Sequence, residues 1–315
     1  MNYIIQHWSY DPFIIGIIVV TAMQELGLSR LRQHSRRASN RRRRRRSIYF
    51  YAGLAALLLA VISPIDYWAS DYFFVHMIEH ILLAFAAPIL IVAGAPWIPL
   101  MFALPVATRR KLGRFFYLSS RARAFRAISR FVRDSWTALI SFNAAMLVWH
   151  IPWMFQAAET NQVVHIWLMH GSFLATGVLF WLQVIPSYPV RPARGPVWQA
   201  GAILVTNVLM TVMAMSMSIL TAVSWYPSYS HIPGITLSPF ADQQIGAAIL
   251  WVCGDFWAWP ALYIVIRRAL ESEGTLSNVM DRMMGRGAGP SVEAFRESRV
   301  IKVSVANNEQ GSMGE

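Results

Sequence analysis

Charge is scarce in this chain: 14% of its 315 residues are charged, and only 16 are Asp or Glu. A soluble domain carries roughly 25% charged residues. Cysteine is scarcer still, Cys253 being the one residue, which excludes a disulfide framework and a CxxC metal knuckle. No GxxxxGK[ST] loop is present, so the chain alone is not expected to drive ATP-dependent transport. Met1 to Asp11 lacks the basic start of a secretory signal, so the first apolar segment is expected to be retained.

What fills the chain instead is apolar. Hydrophobic residues make up 56%, and the mean hydropathy is +0.40. That excludes a disordered protein and points away from a soluble globular one, toward several spans of ~20 apolar residues each. The net charge of +12 would suggest nucleic acid if it lay on one soluble face. It does not. Ten arginines fall between Arg30 and Arg46, and nine Lys/Arg between Arg109 and Arg133. Arg191 and Arg194 form a pair, and the rest follow from Arg267 onward.

Seven apolar segments separate these groups, near residues 12–28, 48–69, 72–94, 135–154, 162–185, 197–222 and 243–266. Basic loops follow the first, third, fifth and seventh; the other loops hold no Lys or Arg. The positive-inside rule then predicts an all-α bundle of seven transmembrane helices, N-terminus outside and C-terminus cytoplasmic. We read residues 1–266 as the membrane domain and 267–315 as a polar cytoplasmic tail, partly disordered, with a surface helix over 270–284. Ser63-Pro64 interrupts the second segment, and Pro96, Pro99 and Pro105 mark an elbow after the third. The run Arg41 to Arg46 reads as a topogenic loop on anionic lipid, with RNA or partner docking as its rival. Gly113 to Arg133 reads as a basic amphipathic surface helix.

The eight histidines are distributed the opposite way. On this topology only His34 is cytoplasmic; His7, His76, His80, His150, His165, His170 and His231 lie in or open toward the outer half. Imidazole is the commonest metal ligand, and an ionisable group inside a membrane is a functional candidate. His76 and His80 are about 40° apart on a helix, with Glu79 on the same face. Such a pair can hold a metal ion, or make a polar contact between helices. His165 and His170 are about 140° apart on an α-helix, so one helix is not expected to point both at one small site. His150 precedes Pro152 at the outer end of the fourth segment.

In the sixth segment Met213 and Met217 share a face, with Met210 beside them and Met215 pointing away. A Met-rich helix serves soft packing, and thioethers also select Cu(I). At ~1.5 Å per residue, His80, His170, Met213, Met217 and Cys253 fall ~8–15 Å below the outer ends of their helices and could share one layer. Asp255 carries a charge near mid-bilayer.

Several short motifs in order resemble the CtaG-type, caa3-type cytochrome c oxidase assembly factor family. They are Trp8-x-x-Asp11-Pro12, Ser63-Pro64-Ile65-Asp66, His76-Met77-x-x-His80 with Pro88 and Gly94-x-Pro96, and Trp149-x-x-Pro152. His165-x4-His170 with Phe180-Trp181, Tyr226-Pro227-x-Tyr229, and Asp242-Gln243-Gln244-x-Gly246 with Trp251 complete the set. Glu79 departs from the pattern, where an uncharged residue is expected. The resemblance covers roughly residues 8–266. It implies a multi-pass protein of the bacterial plasma membrane that matures a haem–copper oxidase, supplying copper to one of its subunits.

The combined expectation is a non-catalytic assembly factor that takes in Cu(I) from the outer side. His76, His80 and His170 are the first candidate ligands, His165 and His150 the next, and Met213 and Met217 soft co-ligands. Asp66, Glu79 and Asp242 would orient ligands or line the entry, and Tyr226 and Gln243 would shape the outer loop. The expected partners are an oxidase subunit and anionic lipid at the basic loops, with no nucleic acid. Two rivals stand beside it: a haem-handling membrane enzyme with two histidines on the iron, and a transporter using Asp255 and Glu79.

Overall fold

The computed structural model describes residues 11–33, 37–229, 236–273 and 281. The described chain is helical: α1 (Phe13–Gln33), α2 (Arg37–Ile62), α3 (Pro64–Ala69), α4 (Phe73–Ile81), α5 (Ala87–Gly94), α6 (Trp97–Ala103) and α7 (Val106–Leu118). Then come α8 (Arg123–Val132), α9 (Ser135–Trp149), α10 (Pro152–Thr160), α11 (Gly171–Val184), α12 (Pro196–Ser218) and α13 (Pro239–Glu273). Two π-helical stretches, Leu82–Ala86 and Val164–His170, join α4 to α5 and lead into α11. Among the described residues extended pairing is limited to a bridge between Ser187 and Val190.

Six helices are long and apolar enough to cross a membrane, and the pair α9–α10, bent by 77°, brings the number up to seven when counted as one broken span. Their outward faces are apolar: Ile15, Ile18, Leu204, Val208, Val212 and Phe256 stay exposed. In lipid this is the favourable arrangement, because the helix satisfies its own backbone and presents hydrocarbon to hydrocarbon.

The helix ends follow local chemistry. Ser63 ends α2 and caps α3, its hydroxyl accepting from the Ile65 amide at 3.1 Å, with Pro64 at the first helical position. Asp134 caps α9 by accepting from the Trp136 and Thr137 amides. Ala95 takes a left-handed φ of 47° and turns the chain into the elbow that carries α6.

Four boundaries differ from the sequence expectation. The second segment begins at Arg37 rather than near residue 48, so Arg41 to Arg46 form helical turns of α2 and not a loop. Arginine is a good helix former, and no proline interrupts the stretch. The fourth segment does not run straight to residue 154: α9 stops at Trp149, and α10 leaves it at 77°. Pro152 offers no amide and pushes Ile151 out of helical geometry. The stretch after Gly113 is two helices, α7 and α8, joined by a 3-10 turn at Ser120–Ala122. On α8 the exposed Phe125, Ile128 and Phe131 oppose Arg123, Arg126 and Arg130, as an interfacial helix requires. The last segment extends to Glu273, through the start of the surface helix expected over 270–284; residues 274–280 and 282–315 lie outside the described ones.

The chain forms two compact units: Met1–Arg194 with Val205–Trp257, and Gly195–Leu204 with Ala258–Glu315. In the second, Arg268 donates to Gln199 Oε1 at 2.7 Å, and Arg267 pairs with Glu271 at 2.8 Å. The first holds everything described below. Within it α11 packs hard against the first π stretch: a Cβ on Gly177 would come within 2.7 Å of the Ala84 carbonyl. A Cβ on Gly246 would meet the Phe73 ring at 2.6 Å, so glycine there lets α13 seat the start of α4.

Candidate metal centre

Five histidines converge in the first unit. His76 and His80 lie on α4 and are fully buried. Their Nε2 atoms are 2.8 Å apart and their ring centroids 4.4 Å, as the i, i+4 spacing predicts. His165 is 5.2 Å from His76 and His150 5.4 Å from His80, centroid to centroid.

His165 and His170 stand 4.4 Å apart, which corrects the sequence expectation that one helix could not aim both at one site. The expectation assumed an α-helix. The segment Val164–His170 is a π-helix, whose i→i+5 hydrogen bonding stacks residue i+5 nearly over residue i. Both imidazoles therefore face the same way.

Two carboxylates complete the cluster. Glu79 is fully buried, and its Oε1 is 3.3 Å from His170 Nε2. Glu159, near the end of α10, places Oε1 3.3 Å from His76 Nδ1 and 3.4 Å from His165 Nδ1. The bend at Pro152 brings it there. Ligand atoms of His76, Glu159 and His165 lie within 4.8 Å of one another, and so do those of Glu79, His165 and His170.

Hydrogen bonding sets the tautomers. Tyr229 donates to the Ala69 carbonyl at 2.9 Å, so its oxygen accepts from His76 Nδ1 at 3.2 Å. Burial first, then Glu159, holds the Tyr229 phenol above its ordinary range, so it stays a neutral donor. His76 Nε2 is then a lone pair facing His80 Nε2. His150 Nδ1 donates to the Met146 carbonyl at 2.6 Å, which leaves its Nε2 lone pair toward Met77 Sδ at 3.4 Å.

Both Glu79 oxygens, Glu159 Oε1, His80 Nδ1 and both His170 nitrogens are buried without a well-formed hydrogen bond; the carboxylates have the 3.3–3.4 Å imidazole contacts above, and Asp66 stands beside Glu79. A buried polar atom left so costs ~1–3 kcal/mol, more if charged. A cation among these atoms would remove that cost, and imidazole with carboxylate suits first-row transition metals. The residues therefore fit a metal ion. Two imidazoles on one ion at ~2.0–2.1 Å sit about 3.3 Å apart in tetrahedral geometry, so His76 and His80 need to part only slightly from their present contact.

The chain belongs to the cytochrome c oxidase caa3 assembly factor family. The family model, described as cytochrome c oxidase caa3 assembly factor (Caa3_CtaG), matches residues 26–272. Among curated proteins the chain is 27% identical over 264 residues to the uncharacterized protein Mb0105 of Mycobacterium bovis. It is 24% identical over 265 residues to the uncharacterized protein ML1998 of Mycobacterium leprae. Each alignment covers 82% of this chain and 38% of the relative, so the chain spans well under half the length of these relatives. No solved structure matches.

The other sequence candidates take distinct places. Asp242 is not in the cluster but caps its helix, accepting from the Phe73 and Phe74 amides at 2.8 and 2.9 Å. Gln243 accepts from the Trp225 amide and donates to the Met217 carbonyl, both at 2.7 Å, so it clamps the loop to α12. Tyr226 donates to the His150 carbonyl at 2.9 Å and stacks on Phe73. Asp66, in the first turn of α3, faces Glu79. Burial pushes the Asp11 carboxyl up while its hydrogen bond from the Phe13 amide pulls it down; it feels Asp66 and His165 as neighbouring charges. Met213 and Met217 are buried on α12. The thioether of Met77, which the sequence offered only as part of a motif and not as a candidate ligand, meets His150. Asp255 is held by the Asn207 amide at 3.2 Å. His7, His34 and His231 lie outside the described residues.

Sequence reasoning also missed Glu159. A lone acid in the polar loop Glu159-Thr160-Asn161 looks like solvated surface, and only the bend at Pro152 turns it inward.

Proposed function

We propose that this protein is a copper-handling assembly factor of the bacterial plasma membrane. It takes a copper ion at the histidine–carboxylate cluster and passes it to a subunit of a haem–copper oxidase, without catalysing a reaction of its own. The observation that carries the reading is the set of buried donor atoms on His80, His170, Glu79 and Glu159 that lack a well-formed hydrogen bond, the two carboxylates meeting imidazoles only at 3.3–3.4 Å. In a membrane interior such a group persists where it does something other than stabilise. The family supplies the oxidase; the donor chemistry supplies the metal. Met77 and His150 add a softer end to the cluster, which favours copper over harder ions.

The cluster faces the external side on this reading. Every described Lys and Arg of the first unit lies near the opposite helix ends, from Arg30 and Arg32 in the last turn of α1 to Arg191 and Arg194 after α11. That is the cytoplasmic end by the positive-inside rule. There Arg42, Arg43 and Arg46 line a cavity of about 340 Å³ with Gln24, Ser47 and Tyr188, suited to anionic lipid headgroups.

The test is copper in the isolated oxidase. A strain lacking this protein should yield oxidase deficient in copper, at normal transcript level. The wild-type gene should restore it, and His76→Ala/His80→Ala should not. Full restoration by the double variant, at matched membrane abundance, would overturn the reading. Reporter fusions after Arg46, Arg133 and Arg194 should be cytoplasmic.

A further inference from the structure

The two three-donor groups share His165 but differ in depth. The His165 side chain is 20% exposed and that of Glu159 10%, whereas Glu79 and His170 are 0%. We propose that the cluster is two overlapping copper subsites rather than one: a mouth subsite of His76, Glu159 and His165, and a deep subsite of Glu79, His165 and His170, with a single ion handed between them by His165. This rests on the copper reading above and deepens it.

The geometry supports a hand-over. Both sets need His165, so two ions would require it as a bridging imidazolate, whereas one ion requires only a neutral imidazole. His165 is also the ring that stands close to both His76, at 5.2 Å, and His170, at 4.4 Å. The shift from mouth to deep subsite exchanges one carboxylate and one imidazole for another of each, so donor number and charge are kept. A ligand exchange of like for like lets an ion move without passing through a bare state. The acids Asp11 and Asp66 beside the cluster make its approach negative, which raises the local concentration of a cation at the mouth.

The mouth is a waypoint in both directions, so its loss has a kinetic signature. Glu159→Gln should slow loading and release in the same proportion, by about tenfold, and leave Kd within about twofold. Glu79→Gln should leave loading unchanged but weaken Kd and speed release by about 10- to 100-fold. His165→Ala should impair both.

The experiment uses the full chain in lipid nanodiscs, loaded from buffered Cu(I). Loading is followed by stopped flow, release by transfer to a chromophoric chelator, and stoichiometry by metal analysis. Thermal unfolding confirms that each variant is folded; Glu159→Asp and Glu79→Asp replace either Gln variant that is not. One ion per chain with the two opposed kinetic patterns supports the proposal. Identical effects of the two substitutions would overturn it in favour of a single site, and two ions bound at once would overturn it in favour of independent sites. Both results leave the copper reading standing. A wild-type chain that binds no copper defeats that reading and the hand-over with it.

Discussion

Two layers of the first unit sit next to each other along the same helices and are built on opposite terms. The histidine–carboxylate layer is buried but leaves donor atoms without well-formed hydrogen bonds. About 8 Å further along, at ~1.5 Å per residue from His80 to Phe85, an aromatic layer begins. There Phe85 stacks on Trp257 at 4.7 Å and meets Phe142 edge-on at 5.4 Å. Phe142 stacks on Phe180 at 4.8 Å, and Trp181 closes the ring against Trp257 at 5.4 Å. The aromatic layer leaves the Trp181 and Trp257 indole N–H groups buried without partners too, but it gains from its own ring contacts. The polar layer gains little until something else enters it. The two layers thus differ in what holds them: ring contacts in one, donor atoms poised for a ligand in the other.

The comparison can be tested by breaking each layer in turn. Phe180→Ala removes a fully buried ring and should cost about 3–5 kcal/mol, seen as loss of folded protein in unfolding measurements. Asp242→Ala lies between the layers in effect: it frees the Phe73 and Phe74 amides and should cost about 1–2 kcal/mol while weakening copper retention, because α4 carries His76 and His80. In the polar layer the sign should reverse. Glu79→Leu should raise the unfolding stability of the metal-free protein by about 1 kcal/mol, since it removes the desolvation cost of a fully buried carboxyl that has only a 3.3 Å contact with His170 and the neighbouring acid Asp66 in return, while lowering copper affinity. Met215→Ala, on a lipid-exposed side chain, should stay within about 0.5 kcal/mol and leave bound copper unchanged. A destabilised Glu79→Leu protein would show that the polar layer stabilises the fold after all.

Much of this was legible in the sequence, and the gaps have specific causes. Hydropathy and the arginine distribution pointed to seven spans where the structure has six candidates and a bent pair that brings them up to seven, because a bilayer allows few ways to bury such segments. His76 and His80 could be paired because α-helical spacing holds over Phe73–Ile81. His165 and His170 could not, because nothing local in Val164 to His170 announces i→i+5 bonding. Glu159 stayed hidden because its direction depends on a 77° bend. Met77 was overshadowed by the more conspicuous methionines of α12. Asp242 was read as an entry residue because its cap acts on a helix 168 residues away in sequence, a relation no window of sequence contains.

The π-helix at Val164–His170 makes the winding of the backbone there matter as much as its side chains. It is an α-helix carrying one surplus residue. Deleting a residue between His165 and His170 would shorten the span by only ~1.5 Å, which a bilayer tolerates. It would also make His165 and His170 an i, i+4 pair on a continuous α-helix, about 40° apart, the spacing that already holds His76 and His80 together. What would dismantle the pair is straightening the turn without shortening it: at i, i+5 on an α-helix the two rings part by about 140°, with the hydropathy and every ligand unchanged.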